Sequence, residues 1–188
     1  MSDKVEIDGR SARRDRNLDA VVEAAIELIV EGHVAPGVTE IADRAGVSYR
    51  SVFRYFPERD DVVAAALSRA CDRLESEAAA ATDDLPAARV ELWERSSSVA
   101  RALRLGAAQS AEVAERLSAH RKVLRGQTKA AYKKQLDKLP KADQAAALAG
   151  IDLATSFESY ESFRLDMKMS KPKAAAASER LVSRALRK

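Results

Sequence analysis

The stretch that decides the fold is VTEIADRAGVSYRSVFRYF, residues 38–56. Its apolar periodicity predicts two short helices, with inward-facing side chains at Ile41, Ala42, Ala45, Val47, Val52 and Tyr55. Gly46 falls between the two segments, where a tight turn needs a residue that tolerates positive φ. Ser48 is placed to cap the second helix by accepting a backbone N–H of its first turn. This pattern predicts a helix-turn-helix.

The second helix of this pair has an outward face that is unusual for a chain with 5% aromatic residues. If Val52 points inward, the other sectors of the helix carry Ser48, Tyr49, Arg50, Phe53 and Arg54. Such a helix fits the major groove of DNA, where arginine bridges guanine O6 and N7 and a ring contacts a thymine methyl. The sequence therefore predicts a DNA-reading helix.

The flanking sequence extends this unit on both sides. Apolar residues between Leu18 and Val30 recur at helical spacing and predict a first helix over residues 11–31, followed by Gly32 and a loop. Pro57 ends the DNA-reading helix, and the next helix begins near Asp60. Cys71 lies beside the apolar stripe of that helix, which predicts a small buried residue, with a redox or effector role as the alternative.

Composition indicates a folded all-α chain. Of 188 residues, 46% are hydrophobic and 32% charged, with only 7 glycines and 5 prolines. No apolar run approaches the roughly 20 residues that span a bilayer, and no signal peptide is evident, so we expect a cytoplasmic protein without a membrane partner. One cysteine and two histidines exclude a Cys/His zinc cluster. We predict no cofactor and no metal, although a carboxylate metal site stays open.

Overall basicity is a poor argument for DNA binding here. Residues 1–60 carry 9 Lys/Arg against 12 Asp/Glu, whereas residues 121–188 carry 16 against 7. The positive surplus thus lies far from the predicted DNA-reading helix, and local arrangement must support the prediction. The basic C-terminal part is typical of a solvated helix face, with attraction of an anionic effector or acidic partner as the alternative.

The segments AAIELIVEG, VTEIADRAGVSYRSVFRYF and PERDDV, in this order, resemble the DNA-binding domain of the TetR (tetracycline-repressor) family over roughly residues 11–62. The resemblance implies an all-α fold with an N-terminal three-helix DNA-binding domain and a C-terminal helical bundle for ligand binding and dimerisation. It implies a homodimer that reads a palindromic double-stranded DNA operator and is released by a small-molecule effector of unknown identity. The expected DNA contacts are Thr39, Ser48, Tyr49, Arg50, Ser51, Phe53, Arg54, Tyr55 and Arg59.

Three positions depart from the family pattern. Gly37 stands where a capping threonine is usual, so a phosphate-touching hydroxyl is lost or taken over by Thr39. Phe53 replaces a frequent phosphate-binding tyrosine and has no donor, whereas Arg59 replaces the usual lysine and keeps its charge. The ring of Tyr55 can pack in the core while its hydroxyl remains at the phosphates.

The stretch TDDLP, residues 82–86, carries a capping residue and a proline that predict a domain boundary. We expect a disordered or flexible tail over residues 1–10, the DNA-binding domain with its connecting helix over 11–81, and the effector-binding and dimerisation domain over 82–188. Its helices are predicted over residues 85–105, 107–139 with breaks at Gly106 and Gly126, 140–169, and from residue 174 to 188.

Two apolar stripes in the last helices predict a four-helix dimer interface, with closure of the chain's own core as the alternative. The interface residues are Leu153, Phe157, Tyr160, Phe163, Met167, Leu181 and Ala185. The candidate effector-binding residues are Trp93, Arg101, Arg104, Gln109, His120 and Tyr132, each of which also suits a structural or surface role.

The sequence disfavours an enzyme. It lacks the nucleophile-elbow, zinc-protease, P-loop and dinucleotide-binding motifs, although helical enzymes built on carboxylate pairs escape such tests. The leading prediction is a ligand-responsive transcriptional regulator, most simply a repressor. The alternative is an architectural or accessory DNA-binding protein without an effector.

Overall fold

The computed structural model of the protein describes residues 3–33, 35–80 and 84–187, and every regular element in these ranges is helical. The α-helices are α1 (Asp3–Val30), α2 (Val38–Ala45), α3 (Tyr49–Tyr55), α4 (Arg59–Ala80), α5 (Leu85–Ala107), α6 (Ala111–Ala131), α7 (Lys133–Leu136), α8 (Lys141–Ala154), α9 (Phe157–Glu161) and α10 (Lys171–Ala185). A π-helical turn, Ser162–Asp166, follows α9. The predicted all-α class is confirmed.

The chain divides into two compact units. The N-terminal unit comprises residues 1–71 and 101–117, and the C-terminal unit comprises residues 72–100 and 118–188. The segment 101–117, which we expected in the second domain, is therefore part of the N-terminal unit. The predicted boundary between residues 81 and 82 lies outside the described residues.

The N-terminal unit is organised by α1, which packs against α2 and α3. Its apolar face is buried from Val21 to Ile29, and the inward residues of α2 and α3 meet it. Ile41 and Val52 are both at most 1% exposed, as their periodicity predicts. Burial of these branched side chains stabilises the unit by roughly 1.5–3 kcal/mol each.

The first helix is longer at its N-terminus than the sequence predicts. It begins at Asp3 rather than at Ser11, so most of the predicted tail is helical. It ends at Val30, and Gly32 beyond it has φ +107°, a conformation that favours glycine. Cys71, on α4, is buried as predicted.

The C-terminal unit is built around α8 and α10, which pack together. Their core cluster consists of Leu136, Leu139, Ala147, Ile151, Ala154 and Val182. A Cβ placed on Gly150 would lie 3.2 Å from the Cβ of Ala185, so the absence of a side chain at Gly150 allows the two helices to approach closely.

The prediction of one long helix over residues 140–169 is wrong. Helix α8 ends at Ala154, and the Oγ of Ser156 accepts the N–H of Ser159 at 3.2 Å to cap α9. The predicted break at Gly126 is also wrong, because α6 continues through it to Ala131. A short polar capping residue is a weak signal inside an otherwise helical pattern, which explains why periodicity missed the break at Ser156.

No described helix is both long and apolar enough to cross a membrane. Among the same residues, no group of three or more His, Cys, Asp or Glu side chains is arranged to hold a metal ion.

Candidate nucleic-acid interface

The turn between α2 and α3 sets the direction of α3. Gly46 ends α2 with φ +65°, and its N–H donates to backbone carbonyls of the last turn. Because an L side chain is strained at this φ, glycine suits the position. Ser48 then starts α3, and its Oγ accepts the N–H of Ser51 at 3.2 Å. Both roles agree with the sequence prediction.

The face of α3 opposite the core carries rings and a guanidinium. Val52 is 1% exposed, whereas Tyr49 is 53% and Phe53 is 36% exposed. The two rings meet edge to face with their centroids 4.8 Å apart, which orders the i, i+4 pair. Arg50 is exposed and forms no ion pair or hydrogen bond with another described residue. Its donors are therefore available to a molecule outside the chain.

The Tyr55 hydroxyl links α3 to α1 and also accepts from Arg54 of α3. The Arg54 Nη2 donates to the Tyr55 hydroxyl at 3.0 Å, and Asn17 Nδ2 donates to the same oxygen at 3.5 Å. Partial burial raises the pKa of Tyr55, but the hydrogen bonds from Arg54 and Asn17 outweigh it and leave the pKa below its ordinary value. Tyr55 thus serves as an interhelical contact, and its half-buried ring agrees with the dual role considered for it.

The remaining predicted DNA contacts lie at helix starts. Thr39 is exposed in the first turn of α2, and Ser51 is half-buried with its Oγ 2.8 Å from that of Ser48. Arg59, the first residue of α4, is exposed and pairs with Asp60 at 2.9 Å. At the start of α2 the carboxylate of Glu40 accepts the N–H of Gly37 at 2.8 Å, which supplies a cap where the family's usual threonine is missing.

Two arginines have structural roles that the sequence left open or missed. Arg44 donates to both carboxylate oxygens of Glu31 at 2.9 Å and to Glu27 at 3.3 Å, which raises the pKa of Arg44. Arg69 on α4 donates to Asp19 at 2.9 Å and Glu23 at 3.1 Å on α1. The acidic residues recur every four positions on α1, and this spacing was the available signal for both contacts.

Further cations lie on α1. Arg13, Arg14 and Arg16 are all exposed. With Arg50 and Arg54 they provide guanidinium groups that suit phosphates as well as base edges. The chemistry of these exposed faces is cationic and aromatic, which is the chemistry that nucleic-acid recognition uses.

Comparison with known proteins agrees with this geometry. Residues 21–66, which include the turn at Gly46 and the whole of α3, match the family of bacterial regulatory proteins of the tetR type. Over these residues the chain is similar to TetR-family regulatory proteins. No curated protein sequence is significantly similar to this chain.

Solved structures share the regulator's fold at low sequence identity. A TetR-family transcriptional regulator from Streptomyces coelicolor is 19% identical, with a TM-score of 0.65 over 89% of this chain and 80% of that one. A TetR transcriptional regulator from Rhodococcus sp. RHA1 is 21% identical, with a TM-score of 0.57 over 93% and 97%. A candidate transcriptional regulator from Pseudomonas aeruginosa PAO1 is 15% identical, with a TM-score of 0.67 over 90% and 89%.

The predicted effector residues are divided between the two units of the chain. Trp93 and His120 are buried in the C-terminal unit, where Trp93 Nε1 donates to the Thr155 carbonyl at 3.0 Å and His120 Nδ1 lies 3.0 Å from Glu75. Tyr132 lines a separate cavity of about 510 Å³ in that unit. Arg101, Arg104 and Gln109 belong to the N-terminal unit, and Gln109 lines a cavity of about 140 Å³ there. Composition and spacing could not reveal this separation.

The predicted dimer residues divide into two groups because of the break at Ser156. Phe157, Tyr160 and Phe163 are buried within the chain, at 1%, 7% and 8% exposure, which favours the alternative that they close the chain's own core over their predicted place in a dimer interface. Phe157 is the first residue of α9, after the break that follows α8. Leu153, Met167 and Leu181 are exposed, whereas Ala185 is half-buried against the α8–α10 core.

Proposed function

We propose that this regulator is a ligand-responsive repressor that binds a palindromic operator as a homodimer and is released by a small-molecule effector. Helix α3 reads the major groove, and the C-terminal unit supplies both the dimer contact and the effector response. The similarity of residues 21–66 to TetR-family regulatory proteins supports DNA-binding regulation, and the following contacts support the finer statements.

The observation that carries the proposal is the exposed, unpaired state of Arg50 on α3. Arg44 and Arg69 are both engaged by carboxylates of α1, whereas Arg50 has no such contact with the described residues. A free guanidinium beside the Tyr49–Phe53 ring pair matches the donors and apolar groups that base edges require. We therefore assign base readout to Arg50 and its ring neighbours.

Phosphate contacts are assigned to the residues around that face. Thr39, Ser48 and Arg59 lie at the starts of α2, α3 and α4, where backbone N–H groups also favour anions. We also assign phosphate contacts to Arg54, which donates to the Tyr55 hydroxyl, and to Ser51. Such contacts position the protein on DNA without reading its sequence.

The dimer contact is assigned to apolar side chains that the single chain leaves exposed. Leu153, Leu165, Met167 and Leu181 are between 42% and 65% exposed. They lie on or next to α8 and α10, which already pack together within the chain. Pairing these two helices with their copies in a second chain would bury the exposed groups in a four-helix interface.

Footprinting and binding assays on the DNA around the regulator's own coding region test the proposal. A dimer should protect a palindrome whose half-sites lie about 34–36 Å apart, or a multiple of that. Affinity should fall steeply with salt, and the ratio of specific to non-specific affinity should reach thousands. A ratio near one would instead support an architectural or accessory DNA-binding protein.

A further inference from the structure

The second half of α6, together with α7 and the start of α8, is strongly basic. Residues 121–141, which we call the basic segment, contain eight lysines and arginines against one acidic residue, Asp137. All eight cationic side chains are exposed: Arg121, Lys122, Arg125, Lys129, Lys133, Lys134, Lys138 and Lys141. Clustered charges of one sign produce a local potential that attracts a partner of the opposite sign.

Three of the eight cations are paired with carboxylates of the same chain. Arg121 pairs with Glu158 at 2.7 Å, and Arg125 pairs with Asp152 at 2.8 Å. Lys133 pairs with the acidic residue four positions further on. The other five, which we call the unpaired lysines, form no ion pair or hydrogen bond with another described residue: Lys122, Lys129, Lys134, Lys138 and Lys141.

The unpaired lysines are spread along the basic segment. Lys122 and Lys129 lie about two turns apart on α6, roughly 10 Å along the helix axis, on the side opposite the buried Leu124. A single residue separates α6 from α7. Lys134 lies on α7, and Lys138 follows four positions later. Charges distributed in this way suit an extended polyanion better than a compact anion, which needs its donors gathered around one point.

The basic segment offers little apolar surface beside its lysines. All of residues 121–141 are described, and Val123, at 40% exposure, is their one exposed large apolar side chain. A helix that binds a lipid surface presents a wide apolar face next to its cations. The cores of protein–protein interfaces are depleted of lysine. Sequence-independent binding to DNA requires neither feature, because contacts between cations and phosphates supply its affinity.

We propose that the unpaired lysines of the basic segment form a second surface for double-stranded DNA, which contacts phosphates and does not read the base sequence. This surface belongs to the C-terminal unit, whereas base readout is assigned to α3 of the N-terminal unit. The duplex carries about one phosphate per 1.7 Å of its axis, so one stretch of DNA presents phosphates to several lysines. Each contact releases counterions from the DNA, and this release drives binding.

Lysine acetylation in the full chain tests this surface directly. Mass spectrometry follows the acetylation rate of each lysine with and without a short duplex of random sequence at low salt. We expect the unpaired lysines to react more slowly when DNA is present, whereas Lys168 and Lys173, exposed lysines of the same unit, keep their rates. Five phosphate contacts predict that the DNA concentration for half-protection rises about 10²–10³-fold between about 50 and 200 mM salt. Absence of protection, or equal protection of Lys168 and Lys173, would overturn the proposal.

A double variant measures how many phosphates the surface contacts. Lys122→Gln combined with Lys129→Gln removes two charges from α6 and keeps side chains that favour a helix. With protection of Lys134 as the readout, the slope of log affinity against log salt should become shallower by about 2. Lys168→Gln combined with Lys173→Gln removes the same charge elsewhere in the unit and should change the slope by less than about 0.5. Equal slopes for the wild type and the first variant would show that Lys122 and Lys129 contact no phosphate, which contradicts the proposal.

Two other polyanions distinguish DNA from the remaining acidic partners. Vesicles of phosphatidylserine and phosphatidylcholine, and poly-glutamate, are titrated under the same conditions, and we expect both to protect the unpaired lysines less than DNA does at equal charge concentration. Stronger protection by vesicles would assign the surface to a membrane, and stronger protection by poly-glutamate to an acidic protein. Either result refutes the proposal. If the protein binds no palindrome but random DNA still protects these lysines, the repressor function is refuted and the second DNA surface stands.

Discussion

The two units of this chain differ in which side chains they bury. In the N-terminal unit Val52 is buried and Arg50 is exposed on the same short helix. In the C-terminal unit Leu153 and Leu181 are exposed, whereas Arg89 is buried and its Nη1 has no hydrogen-bond partner among the described residues. The first arrangement is the ordinary one for a water-soluble surface. The second leaves both kinds of group in an unfavourable environment.

The two units differ in how favourable the surroundings of these side chains are. Water solvates Arg50 fully, so its exposure has little effect on folding stability and leaves it ready for DNA. Exposed leucines and a buried unpaired guanidinium both raise the free energy of the isolated chain. In the dimer proposed above, a second chain would cover the exposed leucines.

The largest predicted effect is a loss of folding stability caused by a substitution in the core of the N-terminal unit. Val52→Asn should lower the free energy of unfolding by about 3–4 kcal/mol, because it removes apolar burial and leaves a buried amide without partners. Val30→Asn is the matched control, since Val30 is 51% exposed, and it should change stability by less than about 0.5 kcal/mol. Chemical denaturation measures both. Equal effects of the two variants would contradict the assigned orientation of α3.

A smaller predicted effect is weaker dimerisation caused by a substitution at an exposed leucine. Leu181→Glu should weaken dimerisation about tenfold to a hundredfold, because it places a charge in the proposed apolar contact. Sedimentation equilibrium measures the dimer Kd, and circular dichroism checks that the monomer keeps its helices. Glu179→Gln, also on an exposed position of α10, is the control. An unchanged dimer Kd for Leu181→Glu would exclude this face from the interface.

The next effect concerns DNA readout. Arg50→Ala should cost about 1–3 kcal/mol of operator affinity and relax the preference at one base position. Arg121→Ala is the matched control, since Arg121 is an exposed arginine of the C-terminal unit that pairs with Glu158. Quantitative binding to the operator and to single-base variants distinguishes the two. If Arg50→Ala bound every variant as the wild type does, base readout would have to be assigned to other residues.

The smallest effect is expected at Arg89 in the absence of ligand. Arg89→Met should change the free energy of unfolding near pH 7 by less than about 1 kcal/mol, since relief of the buried charge offsets two lost hydrogen bonds. Burial lowers the folded-state pKa of Arg89 to about 10, below its ordinary value. Above pH 10 the unfolded chain therefore keeps a proton that the folded chain has lost, and the wild type should gain stability relative to Arg89→Met as the pH rises above 10. Denaturation at several pH values checks this, and a relative loss over that range would contradict it.

Local sequence chemistry predicted most of the N-terminal unit. Gly46 and Ser48 determine the turn through φ and capping, and the period of the apolar residues places Val52 inside and Arg50 outside. These effects act within a few residues, so they can be read without knowing the rest of the fold. The same reasoning missed Ser156, whose hydroxyl caps the start of α9 after α8 has ended, and it missed the burial of Phe157.

By itself the sequence determined the helix-turn-helix, the all-α class and the face that α3 turns outward, because periodicity, turns and caps are local properties of the chain. Only the tertiary structure decided that Phe157 lies inside while Leu153 lies outside, that Trp93 and His120 are buried beside Thr155 and Glu75, and that Arg89 is buried. Those outcomes depend on which distant segments meet. A helical period describes the sides of one helix, and it carries no information about what will cover each of them.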